Sequence, residues 1–434
     1  MRLLPYLAAL LIAAPAAAQT PAPPAAQADP AFTLRLGQLI AILNGGGDYA
    51  GFFTPAFQAQ VPEAKLNEVT AQLIAASGKP VAVLSVAQET PWRANVRVQY
   101  EKAVANVLIV VDPAAPHQVG GLLVRGFEVA EKTLPEIEGA FAALRGDTGY
   151  AIAKLGTGKP QLLGGRNADK PYAIGSAFKL VILGELVRAT NAGERKWDDL
   201  VTLDGGMLPG GGYTAKPKGT QVSLRELATQ MISVSDNSAT DILLHHLGRA
   251  KVEAMMPVLG IADPARNRPF LAALDMFRLK GVAGLADRYL AQDEAGRRRL
   301  LDGEVAGIAP ILVDTTSFTT KTPKLIDTLE WFESPNDLVR VMDWLRRNTE
   351  GPAGIEARRI LSINPGIGPD ARGKWQWVGY KGGSEPGVMN MTLLLQARNG
   401  DWYVVTGSWN DGQKEVDQVR FASLIGKAAE LIAP

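Results

Sequence analysis

An apolar run, Leu180, Val181, Ile182, Leu183, Leu186 and Val187, stops at Asn191-Ala192-Gly193. It reads as a buried helix ended by a glycine, and Ser176 stands at its N-terminus in Gly175-Ser176-Ala177-Phe178-Lys179. Three residues is nearly one helical turn, so Ser176 and Lys179 share a face and an amine comes within reach of a hydroxyl. A serine hydroxyl is a weak nucleophile until a base takes its proton. A lysine beside it can be that base if burial and neighbouring donors lower its pKa. The helix N-terminus adds free N–H groups and a positive dipole end, which suit a developing oxyanion.

One such pair is a weak signal, because any long chain offers several. Two further segments strengthen it: Ser235-Asp236-Asn237 within Met231 to Ser238, and Lys381-Gly382-Gly383-Ser384. Each alone has a plain structural reading, as an Asx-capped turn or as a strand ending in a loop. Together, S-x-x-K, S-D-N and K-T-G are the motif set of class A β-lactamases and penicillin-binding proteins. The first two match to the letter. The third departs at Gly382, where threonine or serine is usual. Order and spacing agree. From about residue 135 to 434 the chain resembles a class A β-lactamase-like serine hydrolase of the penicillin-binding protein superfamily.

The resemblance implies an α+β fold of the β-lactamase/transpeptidase type. A five-stranded antiparallel sheet would be flanked by helices, with an all-helical lobe inserted between its early and late strands. It also implies roles. Ser176 would attack a carbonyl carbon and carry the acyl group. Lys179 would take the Ser176 proton. Ser235 would pass a proton to the leaving atom. Asn237 would hold a substrate amide and help fix Lys179. Lys381 would keep positive charge near Ser235 and attract a substrate carboxylate. Gly383 and Ser384 would line the substrate strand, with the backbone N–H groups of Ser176 and Ser384 as the oxyanion hole. Ser384 and Lys381 are the expected carboxylate partners, since no arginine occurs between Gly382 and Gln396.

A second departure concerns the loop after S-D-N. Class A enzymes place a glutamate there to activate the deacylating water, but Leu259 to Met276 contains none. Asp263 and Asp275 are the substitutes on offer, and neither spacing fits. The implied activity is acyl-enzyme formation on Ser176 with an ester or amide, a β-lactam among the candidates. The alternatives are a peptidoglycan peptidase of the penicillin-binding type and a binding relic with little turnover. The expected partner is a small β-lactam, ester or peptide substrate.

The remaining sequence bounds the setting. With 434 residues, 47% hydrophobic and 21% charged, there is material for two globular domains. The net charge of +1 gives no reason to expect nucleic acid. With no cysteine, three histidines and no H-E-x-x-H, metal chemistry is unfavoured and no cofactor is expected. Met1-Arg2-Leu3-Leu4, an apolar run to Ile12 and Ala16-Ala17-Ala18 read as a signal peptide, residues 1–18, for a periplasmic or secreted protein. No later segment is apolar enough to span a membrane. Residues 19–30 are a Pro/Ala-rich flexible leader.

Residues 31–128 read as a separate small α+β unit. Phe32, Leu36, Leu39, Ile40 and Leu43 have helical spacing, Leu66 to Ala76 forms a second helical stretch, and four strands follow up to Phe127. In element order this unit resembles the cone-shaped NTF2-like fold. It shows no convergent polar set and reads as an accessory domain. In the second domain, residues 135–434, strands are expected at Gly149 to Leu155, Gln161 to Leu163, Trp375 to Lys381, Met389 to Gln396 and Trp402 to Trp409. Ser223-x-x-Glu226 reads as a capping box. Extra sequence lies between Leu279 and Glu333. Its run Asp293 to Arg299 reads as a solvated helix face.

Overall fold

The computed structural model describes residues 28–434. The expected signal peptide and most of the leader lie outside them. Among the described residues, no helix is long and apolar enough to cross a membrane. The chain divides between Ala130 and Glu131 into two compact units.

In the first unit, helix α1 (Pro30–Leu43) starts where Asp29 accepts a hydrogen bond from Ala31 N at 2.8 Å, with Pro30 in its first turn. Helix α2 (Glu63–Ser77) follows. Strands β1 (Pro80–Thr90), β2 (Arg93–Tyr100), β3 (Val104–Val111) and β4 (Val119–Phe127) then pair antiparallel in sequence order. Ala94, Val96, Val98 and Tyr100 alternate into the core, where they meet Phe32, Leu39 and Phe53.

The second unit is built on strands β5 (Asp147–Leu155), β6 (Gln161–Arg166), β7 (Trp377–Glu385), β8 (Val388–Gln396) and β9 (Trp402–Asn410). They form one antiparallel sheet in the order β7-β8-β9-β5-β6. The two early strands thus join the three late ones, and the helical residues lie between them in sequence. β9 is buried along its whole length. That requires cover on both faces, and helices Pro335–Asn348 and Gln418–Leu431 pack against it. This is the β-lactamase/transpeptidase-like architecture.

Three local expectations need correction. The strand expected over Trp375 to Lys381 runs instead from Trp377 to Glu385. Gly382-Gly383-Ser384 looks like a loop, yet its pairing with β8 continues to Glu385↔Val388, and the chain reverses only at Pro386-Gly387, with Gly387 at φ +79°. The Ser223 cap forms, at 3.1 Å from Glu226 N, but the Glu226 carboxylate accepts from the Tyr213 hydroxyl at 2.9 Å. The arginine run is not uniformly solvated. Arg298 pairs with Glu253 at 2.6 Å, and Arg297 donates to the carbonyls of Tyr289 and Leu290; Arg299 alone of the three is exposed.

Candidate active site

Gly175–Phe178 forms a single 3₁₀ turn that runs straight into helix α3 (Lys179–Asn191). From Leu180 to Val187 every residue of α3 is buried, as the apolar run requires. Phe178 anchors the turn, stacked on Trp331 at 3.7 Å between ring centres and edge-on to Phe270. The nucleophile candidate therefore sits on a rigid, buried base.

Two glycines bring the turn against the edge strand β7. Gly175 has φ +47°, and a Cβ there would stand 2.9 Å from Ser384 N. A side chain at Gly383 would overlap the Ile174 carbonyl and the Ser176 amide. Only backbone fits between the two elements. The approach places the Ser176 amide against Gly383 and the Ser384 amide against Gly175.

Lys179 starts α3, and its side chain is fully buried. Its Nζ donates to Ser235 O at 2.7 Å, to Asn237 Oδ1 at 2.7 Å and to Ser235 Oγ at 3.1 Å. From the opposite side, Lys381 Nζ donates to Ser235 Oγ at 3.0 Å and to Gly382 O at 2.5 Å. Ser235 Oγ thus bridges two lysines. Its residue adopts φ +59°, a left-handed conformation that is unfavourable for serine and holds the hydroxyl at this junction. Asp236 fixes the loop from below. It caps helix Asn237–Leu247 through Ala239 N at 2.7 Å and accepts from Gly212 N at 2.6 Å.

Burial favours a neutral amine here, and the nearby carboxylates favour the ammonium. Burial pushes Lys179 down to about 7, against the pull of Asp241 and Asp236. Burial and the neighbouring Lys179 push Lys381 well below its ordinary value. Lys381 is 2% exposed and already donates twice.

The sequence reading missed Asp241, whose carboxyl is buried behind Lys179. Its oxygens accept from Ala273 N at 2.7 Å and Leu274 N at 2.9 Å, the first residues of helix Ala273–Gly281. Burial raises it to about 7, against those two amides and Lys179. Asp241 follows Asn237 by one helical turn, and that spacing was the available signal.

Neither aspartate offered as a substitute, Asp263 or Asp275, hydrogen-bonds to Lys179, Ser235 or Lys381. Asp263 is exposed. Asp275 Oδ2 is taken by Arg249 at 2.9 Å and by Ala272 N at 3.1 Å. It caps a helix and stabilises a cation. The departure at Gly382 has a steric reason, because a side chain there would overlap the Tyr380 hydroxyl and crowd Asn390 O at 2.7 Å.

A family model described as β-lactamase enzyme family matches residues 131–310. Among solved structures, the chain is similar to a β-lactamase from Sphaerobacter thermophilus at 20% identity, over 70% of this chain and 97% of that one, with a TM-score of 0.47. A β-lactamase from Chitinophaga pinensis aligns at 17% identity over 69% and 97%, TM-score 0.46. A protein called PBP-A aligns at 16% over 68% and 94%, TM-score 0.45. No curated protein matches the sequence. The similarity to the β-lactamase enzyme family thus lies in the second unit, over residues 131–310, the stretch that carries Ser176, Lys179 and Ser235.

Proposed function

We propose that the protein is an exported hydrolase that forms an acyl-enzyme on Ser176 with an ester or amide, β-lactams included, and releases it slowly. The observation that carries this reading is the Ser235 hydroxyl held between Lys179 and Lys381, beside the close approach of the Ser176 turn to Gly383 and Ser384.

Neutral Lys179 takes the Ser176 proton as Oγ attacks the carbonyl carbon. The developing oxyanion accepts from the Ser176 and Ser384 amides, which a rigid turn and strand hold in advance. The proton then passes from Lys179 through Ser235 Oγ to the leaving nitrogen or oxygen, which resets the amine. Asn237 keeps Lys179 oriented. Deacylation requires a water activated by a base. With no glutamate in 259–276 and Asp275 bound to Arg249, that step is the slow one.

The same absence favours a second reading, a peptidoglycan peptidase that holds its acyl-enzyme for an acceptor amine. In both readings the first unit is an accessory domain and carries none of the chemistry. The test is hydrolysis of a nitrophenyl ester by wild type and by Ser176→Ala. The reading expects loss to the background rate in the variant; unchanged turnover would reject it.

A further inference from the structure

Beside Trp331 the second unit has a small cavity of about 30 Å³, bordered among others by Arg266, Arg268, Arg297, Glu330 and Trp331. Three cations thus meet one carboxyl group, and that group is already engaged. Glu330 Oε1 accepts from Lys280 Nζ at 2.8 Å, and Oε2 accepts from Trp331 N at 3.2 Å. Positive charge is in excess at the wall. Arginines nearby are paired: Arg249 with Asp275 at 2.9 Å and Arg298 with Glu253 at 2.6 Å. Arg268 pairs with no carboxylate among the described residues, and its Nε is buried without a hydrogen-bond partner. Arg266 lies over the Phe332 ring, 4.0 Å from its centre, and Arg297 donates only to the carbonyls of Tyr289 and Leu290.

A buried N–H left unpaired costs free energy that a ligand oxygen would recover. The guanidinium fork matches the oxygens of a carboxylate or a phosphate. Size narrows the choice further. A water-sized group needs roughly 10–15 Å³ of such space, so about two fit, as the oxygens of one anionic group would. We propose that this cavity is a binding site for a small oxyanion, a carboxylate or a phosphate group, held by Arg268 with Arg266 and Arg297 adding charge. Trp331 ties the site to the Ser176 turn, because its ring stacks on Phe178 at 3.7 Å and its carbonyl accepts from Ile174 N at 3.0 Å. The occupant would border a residue that supports Ser176 and share no group with the acyl-serine chemistry proposed above.

The test is thermal unfolding of the full chain titrated with sodium phosphate and, separately, with sodium acetate, each against sodium chloride at equal ionic strength and pH. A saturable rise in Tm is expected with phosphate, with acetate or with both, beyond any change with chloride. The anion that acts identifies the group the site takes. Arg268→Met keeps an apolar stem and removes the fork, so the affinity should weaken about tenfold or more. Since the guanidinium has no partner within the protein, this variant without anion should unfold no earlier than wild type; a structural role would lower its Tm. Arg266→Gln, at an exposed position, should weaken binding severalfold. A wild-type rise no greater than that with chloride would show screening alone and overturn the proposal. An Arg268→Met chain that binds as tightly as wild type would place the anion elsewhere and overturn it too. If that chain does not fold, Arg266→Gln decides in its place, and unchanged affinity there rejects the site.

Discussion

Lys179 shows how much of this site depends on one titration. Below about pH 7 its ammonium form dominates and cannot accept the Ser176 proton. Acylation should therefore rise with pH through that value and level off above it. Asp241 opposes the downward shift, since a buried negative charge favours the ammonium. Asp241→Asn removes the charge but leaves an oxygen able to accept from Ala273 N or Leu274 N. The sign follows: without that charge the ammonium loses its proton more readily, so the rising limb moves to lower pH. The measurement is the pH profile of fluorophosphonate labelling in wild type and variant. A limb that stays in place would mean that Asp241 holds the helix start and does not tune Lys179. At this scale Ser176, Lys179, Ser235 and Lys381 were legible because they fall in motifs with fixed spacing. Asp241 was not, because its place beside Lys179 comes from neighbours brought together by the fold.

Helices and strands were legible where apolar periodicity or capping residues marked them, as at Leu180 to Val187 and at Ser223, whose Oγ accepts from Glu226 N at 3.1 Å. The end of β7 was not, because Gly-Gly-Ser has the composition of a loop and only pairing with β8 makes it strand. The extra segment up to Glu333 was equally opaque. The structure ties its end to that strand. Lys280 is 4% exposed in its side chain, and Nζ pairs with Glu330 at 2.8 Å and with Glu385 at 2.6 Å. One buried cation serves two carboxyl groups, next to Ser384, the proposed source of an oxyanion amide. Lys280→Met leaves both carboxyl groups buried without their cation, Glu330 keeping only the bond from Trp331 N at 3.2 Å. The expected destabilisation is about 3–5 kcal/mol, read from chemical unfolding, and acylation should slow as Ser384 loses its support. Lys280→Arg, which keeps the charge, should be milder. A Lys280→Met variant as stable as wild type would show that the cluster adds nothing.

At the scale of the whole molecule, the second unit contains every group the mechanism uses, from Ser176 to Ser384. Glu131 pairs with Arg420 of the closing helix, so a chain beginning at Glu131 keeps that tie. Such a chain should retain fluorophosphonate labelling of Ser176. A folded, soluble chain of this length that is not labelled would mean that the first unit completes the site. The lack of a glutamate in 259–276 is what led to the expectation that deacylation is the slower half of the reaction. It could not show that Asp275 is unavailable, which depends on Arg249 reaching it from another helix. The central claim is an acyl-enzyme on Ser176 that forms readily and is released slowly. Intact-mass spectrometry over time after mixing with excess penicillin tests it directly. The account predicts a mass increase of one intact penicillin per chain, mapped to Ser176, absent in Ser176→Ala and accompanied by a product burst and a slow phase. An adduct that persists in Ser176→Ala, or burst-free turnover at about 100 per second with no adduct, would contradict it.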